Sequence, residues 1–308
     1  MDHTMTTAPV TVGVVGLGNM GLPMAGHLLA AGFGVRGYDV RPEAVSALTR
    51  AGGVAATSAA GVADGAGVVI TSLPSVAALH EVVSGPDGLA GAAADGLIVI
   101  ETSTLPLTAK DEAARVLGGA GAVVLDCPLS GTASQMQERD IAVYASGDTA
   151  AIERSHDVLA AFSRVQYQVG TFGNGMRMKL IANHLVTVHH TAAAEALLLA
   201  RRAGLDLALA LRALSDGAGN SRMLEVRGPM MIAGDFSQAN MRLEYFQKDI
   251  ELISDLGRAA RCPLPLFTAS AQLHLAALAQ GRLDEDPACV FAVLEQMTRP
   301  QAPGSAAR

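Results

Sequence analysis

An α/β domain on a mostly parallel, doubly wound sheet, followed by an all-α domain and joined to it by a long interdomain helix, is the fold class that this sequence predicts. Three observations carry the expectation. Short β-branched runs alternate with helical stretches from Val10 onward. The early runs are continuously apolar, as parallel strands buried on both faces are. After Gly170 the strand signals stop and nearly everything that follows reads as helix, a switch that marks a domain boundary.

In chain order, TVGVVG is the first strand and Gly18 to Ala31 the first helix; VRGYD and the helix from Pro42 to Ala51 complete a βαβ start. Further strand-like runs lie at Val68 to Pro74, Leu97 to Thr104, Ala122 to Gly131, Ile141 to Gly147 and Val165 to Gly170, mostly with helical patterns between them. The expected helix from Asn174 to Ala203 is longer than is usual in globular proteins and stands between the two halves as their spine. Helices near Leu205 to Ser215, Arg222 to Ala233, Ala239 to Arg261 and Thr268 to Gln280 follow. The expected organisation is a disordered N-terminus over 1–9, a dinucleotide-binding domain over 10–170, a helical substrate and dimerisation domain over 171–298, and a flexible tail over 299–308.

Composition narrows the classes of function. In 308 residues, half of them hydrophobic, there is material for two cores, and 29 acidic against 22 basic residues give a net charge of -7 with no block of like charge. Nucleic acid is therefore not an expected partner. Three cysteines, Cys127, Cys262 and Cys289, are far apart and lack CxxC spacing, so they suggest neither a disulfide framework nor a metal site. No segment reads as a signal sequence or a bilayer span, which points to the cytoplasm and away from membranes. The apolar helical half predicts a homodimer or homotetramer.

GLGNMG, Gly16 to Gly21, fits the GxGxxG pattern, and its context strengthens it. It follows a strand, opens a helix and precedes a second strand ending in Asp39, eighteen residues past Gly21. Gly16 suits a tight turn, Gly18 lets a backbone approach a pyrophosphate, and Gly21 lets the helix pack close to the strand. Leu17, Asn19 and Met20 complete the loop, and the helix N-terminus faces the phosphate charge. Asp39, followed by Val40 and Arg41, suits an adenosine ribose and so NAD, whereas Arg41 leaves NADP open as a second cofactor or is simply a solvated charge. Leu73, Pro74, Ser103 and Thr104 end the third and fourth main strands, where a doubly wound sheet carries its ligand site.

Within GNGMRMKLIANH, Lys179 and Asn183 are spaced i, i+4 and share one helix face. Leu180, Ile181 and Leu185 are expected to desolvate the ammonium and lower its pKa into a range useful for proton transfer. The competing reading is an exposed lysine beside an unrelated asparagine.

GLGNMG, DCPLSG at Asp126 to Gly131, GNGMRMKLIAN at Gly173 to Asn183, and the Lys248 and Asp249 pair occur in an order that resembles the β-hydroxyacid dehydrogenases, the 3-hydroxyisobutyrate dehydrogenase and tartronate semialdehyde reductase group. The resemblance spans roughly Val10 to Leu294. It implies an N-terminal Rossmann domain, a helical second domain, and NAD(P)-dependent interconversion of a small, carboxylate-bearing β-hydroxy acid with its aldehyde or ketone. By motif position it implies Lys179 as catalytic acid/base and Asn183 as a catalytic and substrate-orienting residue. It further implies Ser130 and Gly131 as holders of the substrate carboxylate beside Thr132, Lys248 near the nicotinamide, and Leu73, Pro74, Ser103 and Thr104 along the cofactor.

The chain departs from that pattern where serine-glycine-glycine becomes Ser130, Gly131, Thr132 and a glycine-rich stretch becomes ASQMQERD, with Gln135, Met136 and Arg139 replacing small residues. These changes are expected to border the substrate pocket and reshape it. Ala78 and Ala182 replace asparagines that some members carry. His184, His189 and His190 lack the i, i+4 spacing of a helical zinc pair, and no metal is expected. Two rivals stay open: an imine reductase-like enzyme on the same scaffold, against which a retained Lys179 argues, and a non-catalytic dinucleotide-sensing or interaction protein.

Overall fold

A computed structural model of the chain describes residues 10–239 and 241–298; the expectations for residues 1–9 and 299–308 lie outside them. The chain divides into two compact units, with the division between Lys179 and Leu180.

The first unit opens with β1 (Thr11–Val15), α1 (Gly21–Ala30), β2 (Gly34–Tyr38), α2 (Pro42–Arg50), β3 (Val54–Ala55) and α3 (Ala59–Ala63). It continues through β4 (Val68–Thr71), α4 (Val76–Ser84), β5 (Ile98–Glu101), α5 (Leu107–Gly119) and β6 (Val123–Asp126). These six strands form one parallel sheet in the order β3-β2-β1-β4-β5-β6. The continuous apolar runs have a physical reason, because side chains alternate between two buried faces. Val12, Val14, Ile70, Ile98 and Ile100 enter one core cluster with Leu28 and Phe162. Val15, Val69 and Val99 enter the other with Leu79, Val83 and Leu117.

Local differences from the sequence reading have identifiable causes. Helix α1 begins at Gly21 rather than Gly18, because Gly16 turns through φ +90° and the residues up to Met20 form a turn, although Leu22 N–H already donates to the Gly18 carbonyl at 3.1 Å. The strand expected from Ala122 to Gly131 breaks at Pro128, which has no N–H to donate. Its remainder is β7 (Leu129–Ser130), followed by α6 (Ala133–Gln137), β8 (Ala142–Ala145), α7 (Thr149–Arg154), α8 (His156–Phe162) and β9 (Val165–Gln168). Strands β7, β8 and β9 form a separate three-stranded sheet, antiparallel then parallel, instead of extending the main one.

Helix α9 (Asn174–Arg202) starts in the first unit and continues into the second, which adds α10 (Leu207–Asp216), α11 (Arg222–Ala233), α12 (Leu243–Ala259), α13 (Pro265–Ala279) and α14 (Val290–Met297). Its core gathers Ala194, Leu197, Met231, Leu243, Ala277 and Phe291. Helix α12 starts later than the sequence suggests, since Leu243 and Glu244 direct their N–H groups to the carbonyls of Glu285 and Leu283. None of the described helices is long and apolar enough to cross a membrane.

Candidate functional site

The sheet order reverses between β1 and β4, and at such a switch point the carboxyl ends of the strands leave a crevice. The glycine loop follows β1 into it, Asp39 follows β2, Leu73 follows β4 and Ser103 follows β5. A Cβ on Gly16 would stand 2.2 Å from the Ser72 carbonyl oxygen, and one on Gly21 1.9 Å from that of Gly16, so the fold itself requires both glycines. Gly18 differs: a Cβ there would meet only the tip of Arg41, at 3.8 Å. Its bareness keeps open a cavity of about 350 Å³ lined by Leu17, Gly18, Asn19, Arg41, Glu43 and Gln137, among others. Helix α1 has no side-chain cap and no acidic residue in its first turn. Backbone N–H groups without a capping side chain beside a cradle that a Cβ would fill suit an anionic pyrophosphate, so the residues present fit a dinucleotide.

Asp39 is organised before any ligand arrives. Its Oδ2 accepts from Leu17 N at 2.8 Å and Arg41 Nη2 at 3.1 Å, and its Oδ1 from Arg41 N at 2.9 Å and Arg41 Nε at 3.0 Å. Burial pushes the carboxyl up, but the Arg41 side chain, the two backbone N–H groups and the guanidinium charge outweigh it and hold the pKa below its ordinary value. The carboxylate is thus fixed just after β2 with an exposed cation directly against it. Val40 is exposed.

Sequence reasoning missed a buried charge network behind this loop. Leu73 N donates to Ser103 Oγ at 2.8 Å, and Ser103 N to Glu101 Oε1 at 2.9 Å. Glu101 Oε2 lies 2.7 Å from Lys110 Nζ, which also reaches Asp126 Oδ1 at 2.5 Å. Asp126 Oδ2 accepts the first-turn N–H of α9 at Met176, at 2.8 Å, and Ser146 Oγ accepts that of Gly175 at 2.9 Å. Burial pulls the Lys110 pKa down, yet the two carboxylates more than reverse this and keep it protonated. The available signal was periodicity: Lys110, Ala113 and Leu117 form the buried face of α5, a position where lysine needs partners.

Lys179 and Asn183 occupy the buried stripe of α9, with Met176, Leu180, Thr187 and His190 on the same face. Lys179 is 9% exposed, so the competing reading of a surface lysine fails. Of the three apolar residues expected to desolvate it, Leu180 is buried while Ile181 and Leu185 are half exposed on the opposite side. Asn183 Nδ2 donates to Asp249 Oδ2 at 2.7 Å, which fixes the orientation of its amide. Asp249 is buried on α12, and its other oxygen lies 3.9 Å from Lys248 Nζ. The sequence paired Lys248 with Asp249 but did not reveal that the aspartate anchors Asn183.

Ser130 ends β7, paired with Ala142, and Gly131 turns through φ +147° against Ile141. Thr132 is the N-cap of α6: Gln135 N donates to its hydroxyl, and Gln135 Oε1 accepts from Thr132 N at 3.0 Å, a reciprocal capping box. Met136 is buried in the core, and its carbonyl bonds His27 of α1 at 2.8 Å. The bulky residues of ASQMQERD therefore build a capped helix against α1. Ala133 and Gln137 of that helix line the cavity over the glycine loop.

Fold and crevice together define a dinucleotide-binding protein of the oxidoreductase class. Residues 11–175 match the NAD binding domain of 6-phosphogluconate dehydrogenase, and residues 173–294 the NAD-binding domain of NADP-dependent 3-hydroxyisobutyrate dehydrogenase. L-threonate dehydrogenase of Cupriavidus necator is 34% identical over 290 residues, which covers 94% of this chain and 97% of that protein. The crystal structure of 3-hydroxyisobutyrate dehydrogenase from Salmonella typhimurium is similar at a TM-score of 0.83 and 33% identity, over 92% of this chain and 99% of that one. That of Mycobacterium tuberculosis 3-hydroxyisobutyrate dehydrogenase with L-serine has a TM-score of 0.83 and 28% identity, over 93% and 99%. The chain belongs to the β-hydroxyacid dehydrogenase family, whose members are NAD(P)-dependent oxidoreductases.

Proposed function

We propose that this protein interconverts a small, carboxylate-bearing β-hydroxy acid and its semialdehyde or keto acid, with Lys179 as general acid/base. The observation that carries the reading is a buried lysine one helical turn from an asparagine whose amide is locked by a buried aspartate. A nicotinamide cofactor, when bound, supplies hydride acceptance or donation. In oxidation, neutral Lys179 takes the proton of the substrate hydroxyl; in reduction, its ammonium returns a proton to the carbonyl oxygen. Asn183, held by Asp249, orients the substrate, and Ser130 with the backbone of Gly131 and Thr132 receives the carboxylate. Lys248 approaches the nicotinamide end, while Gly16–Gly21, Asp39–Arg41, Leu73, Pro74, Ser103 and Thr104 hold the cofactor.

NAD is the preferred cofactor on this reading, because the Asp39 carboxylate is ordered and ionised where a 2'-phosphate would stand. NADP is accommodated where Arg41 turns from Asp39 to that phosphate. The full chain works in the cytoplasm as a homodimer or homotetramer.

The test is absorbance at the reduced-nicotinamide band, with NAD and NADP each offered β-hydroxy acids and, in reverse, semialdehydes. Lys179→Ala is expected to lower turnover by about 10²- to 10⁴-fold with dinucleotide affinity retained. Near-normal turnover of that variant sinks the acid/base assignment. Dinucleotide binding without turnover of any hydroxy acid favours the sensing protein, and turnover of cyclic imines alone favours the imine reductase reading.

A further inference from the structure

Lys110 is the most deeply buried cation among the described residues that the reaction as written does not use. Its side chain is fully buried between the Glu101 and Asp126 carboxylates, at 2.7 and 2.5 Å. From those two residues hydrogen bonds run in opposite directions. Glu101 Oε1 holds Ser103 N, and Ser103 Oγ holds Leu73 N, in the two loops at the crevice mouth. Asp126 Oδ2 holds Met176 N, and the neighbouring Ser146 hydroxyl, which also donates to Asp126 O, holds Gly175 N in the first turn of α9. Lys179 stands three residues beyond Met176 on that helix, just under one turn.

We propose that Lys110 is a positioning residue for the reaction. By clamping Glu101 to Asp126 it sets the start of the helix that carries Lys179 against the loops that carry Leu73 and Ser103, so acid/base group and cofactor cradle share one reference point. Three physical features support it. A buried ammonium held between two carboxyl side chains fixes distances that a neutral packing residue leaves adjustable. An acidic side chain such as Asp126, which accepts from Met176 N, is a favoured acceptor at a helix N-terminus. The network lies wholly inside the first unit, between the two sets of residues whose relative placement hydride and proton transfer depend on. The proposal rests on the reading of Lys179 as the acid/base.

The experiment uses the full chain and three variants. Lys110→Met removes the clamp and leaves two buried carboxylates, so it is accompanied by Glu101→Gln/Lys110→Met. That pair keeps the network's net charge, one carboxylate remaining where two faced one ammonium. Lys110→Arg is the rescue. Folded fraction is measured by circular dichroism, active-site concentration by dinucleotide titration, and kcat and KM for the best hydroxy acid are expressed per dinucleotide site. We expect kcat per site to fall about 10- to 100-fold in the charge-balanced double variant, as for a misplacement near 1 Å. KM should change less than about threefold, the pH profile of kcat should keep its shape, and Lys110→Arg should recover most of the loss. A double variant whose kcat per folded site stays within twofold of the parent overturns the proposal, as does a folded arginine variant that recovers nothing. Absence of hydroxy-acid turnover in the parent protein would instead sink the reaction assignment.

Discussion

Acidification below pH 6.5 should destabilise this protein because of two histidines inside the helical unit. His190 of α9 and His274 of α13 are fully buried, with ring centroids 5.8 Å apart and Phe246 against both. His274 Nδ1 donates to Ser270 O at 2.8 Å, the tautomer that this bond requires, while its Nε2 and both His190 nitrogens are buried without a hydrogen-bond partner. Burial is the main force that lowers the His274 pKa from 6.5 to about 4; the Ser270 carbonyl opposes it and the Arg227 charge adds to it. His190 is lowered well below 6.5, again chiefly by burial, then by Arg227, His274 and His189. The folded state therefore refuses a proton that the unfolded chain accepts. The resulting stability is complete above pH 6.5 and is lost as the pH falls towards about 4. At about pH 4.5, linkage between those two values gives a loss of roughly 2.5 kcal/mol from His274 alone, with His190 adding in the same direction. Denaturant unfolding followed by circular dichroism between about pH 7.5 and about pH 4.5 measures the slope. His274→Leu, close in volume and unable to titrate, should flatten it. Equal slopes in parent and variant, or no loss in the parent by about pH 4.5, would refute the reasoning.

The glycine loop and α6 yield two further expectations. Gly18→Ala meets only Arg41, so its thermal midpoint should match the parent while dinucleotide affinity, read by calorimetry, falls at least about tenfold, because the added methyl enters the cradle. Gly21→Ala, with its Cβ 1.9 Å from a backbone oxygen, should fail to fold the first unit at all, visible as lost ellipticity; a stable, binding-competent Gly21→Ala would contradict the loop geometry. Thr132→Ala removes the α6 cap and should cost about 1 kcal/mol in denaturant unfolding, an effect that Thr132→Ser should largely abolish; identical losses in both variants would assign the cost to packing.

Strand positions were legible where burial was two-sided. The runs that became β1, β4 and β5 are mostly apolar because each face packs on its own helix layer. Short elements were not legible: β3 is two exposed residues whose pairing comes from its neighbour β2, and α6 is a single capped turn and a half. The site divides the same way. Gly16, Gly21, Asp39, Lys179 and Asn183 could be read from spacing, since one local element carries each constraint. Lys110, Glu101, Asp126 and Asp249 could not, because a lysine on α5 acquires meaning only when β5, β6 and α9 bring their partners to it.

In the segment SGTASQMQERD the departures from the family pattern have partners within the first unit. Thr132 and Gln135 direct their polar atoms at each other, Gln135 Nε2 continues to Asp140 Oδ2 at 2.9 Å, and Asp140 meets Arg164 at 2.7 Å. Met136 fills the core beside α1. Each bulky replacement thus has a structural partner inside the first unit, and the face that remains, Ala133 and Gln137, looks onto the dinucleotide cavity. Relatives at 34% and 33% identity carry names for L-threonate and for 3-hydroxyisobutyrate, a change of substrate without a change of scaffold. That is the pattern expected when the cradle and the helix start are fixed by buried bonds, while the side chains that meet the substrate remain free to vary.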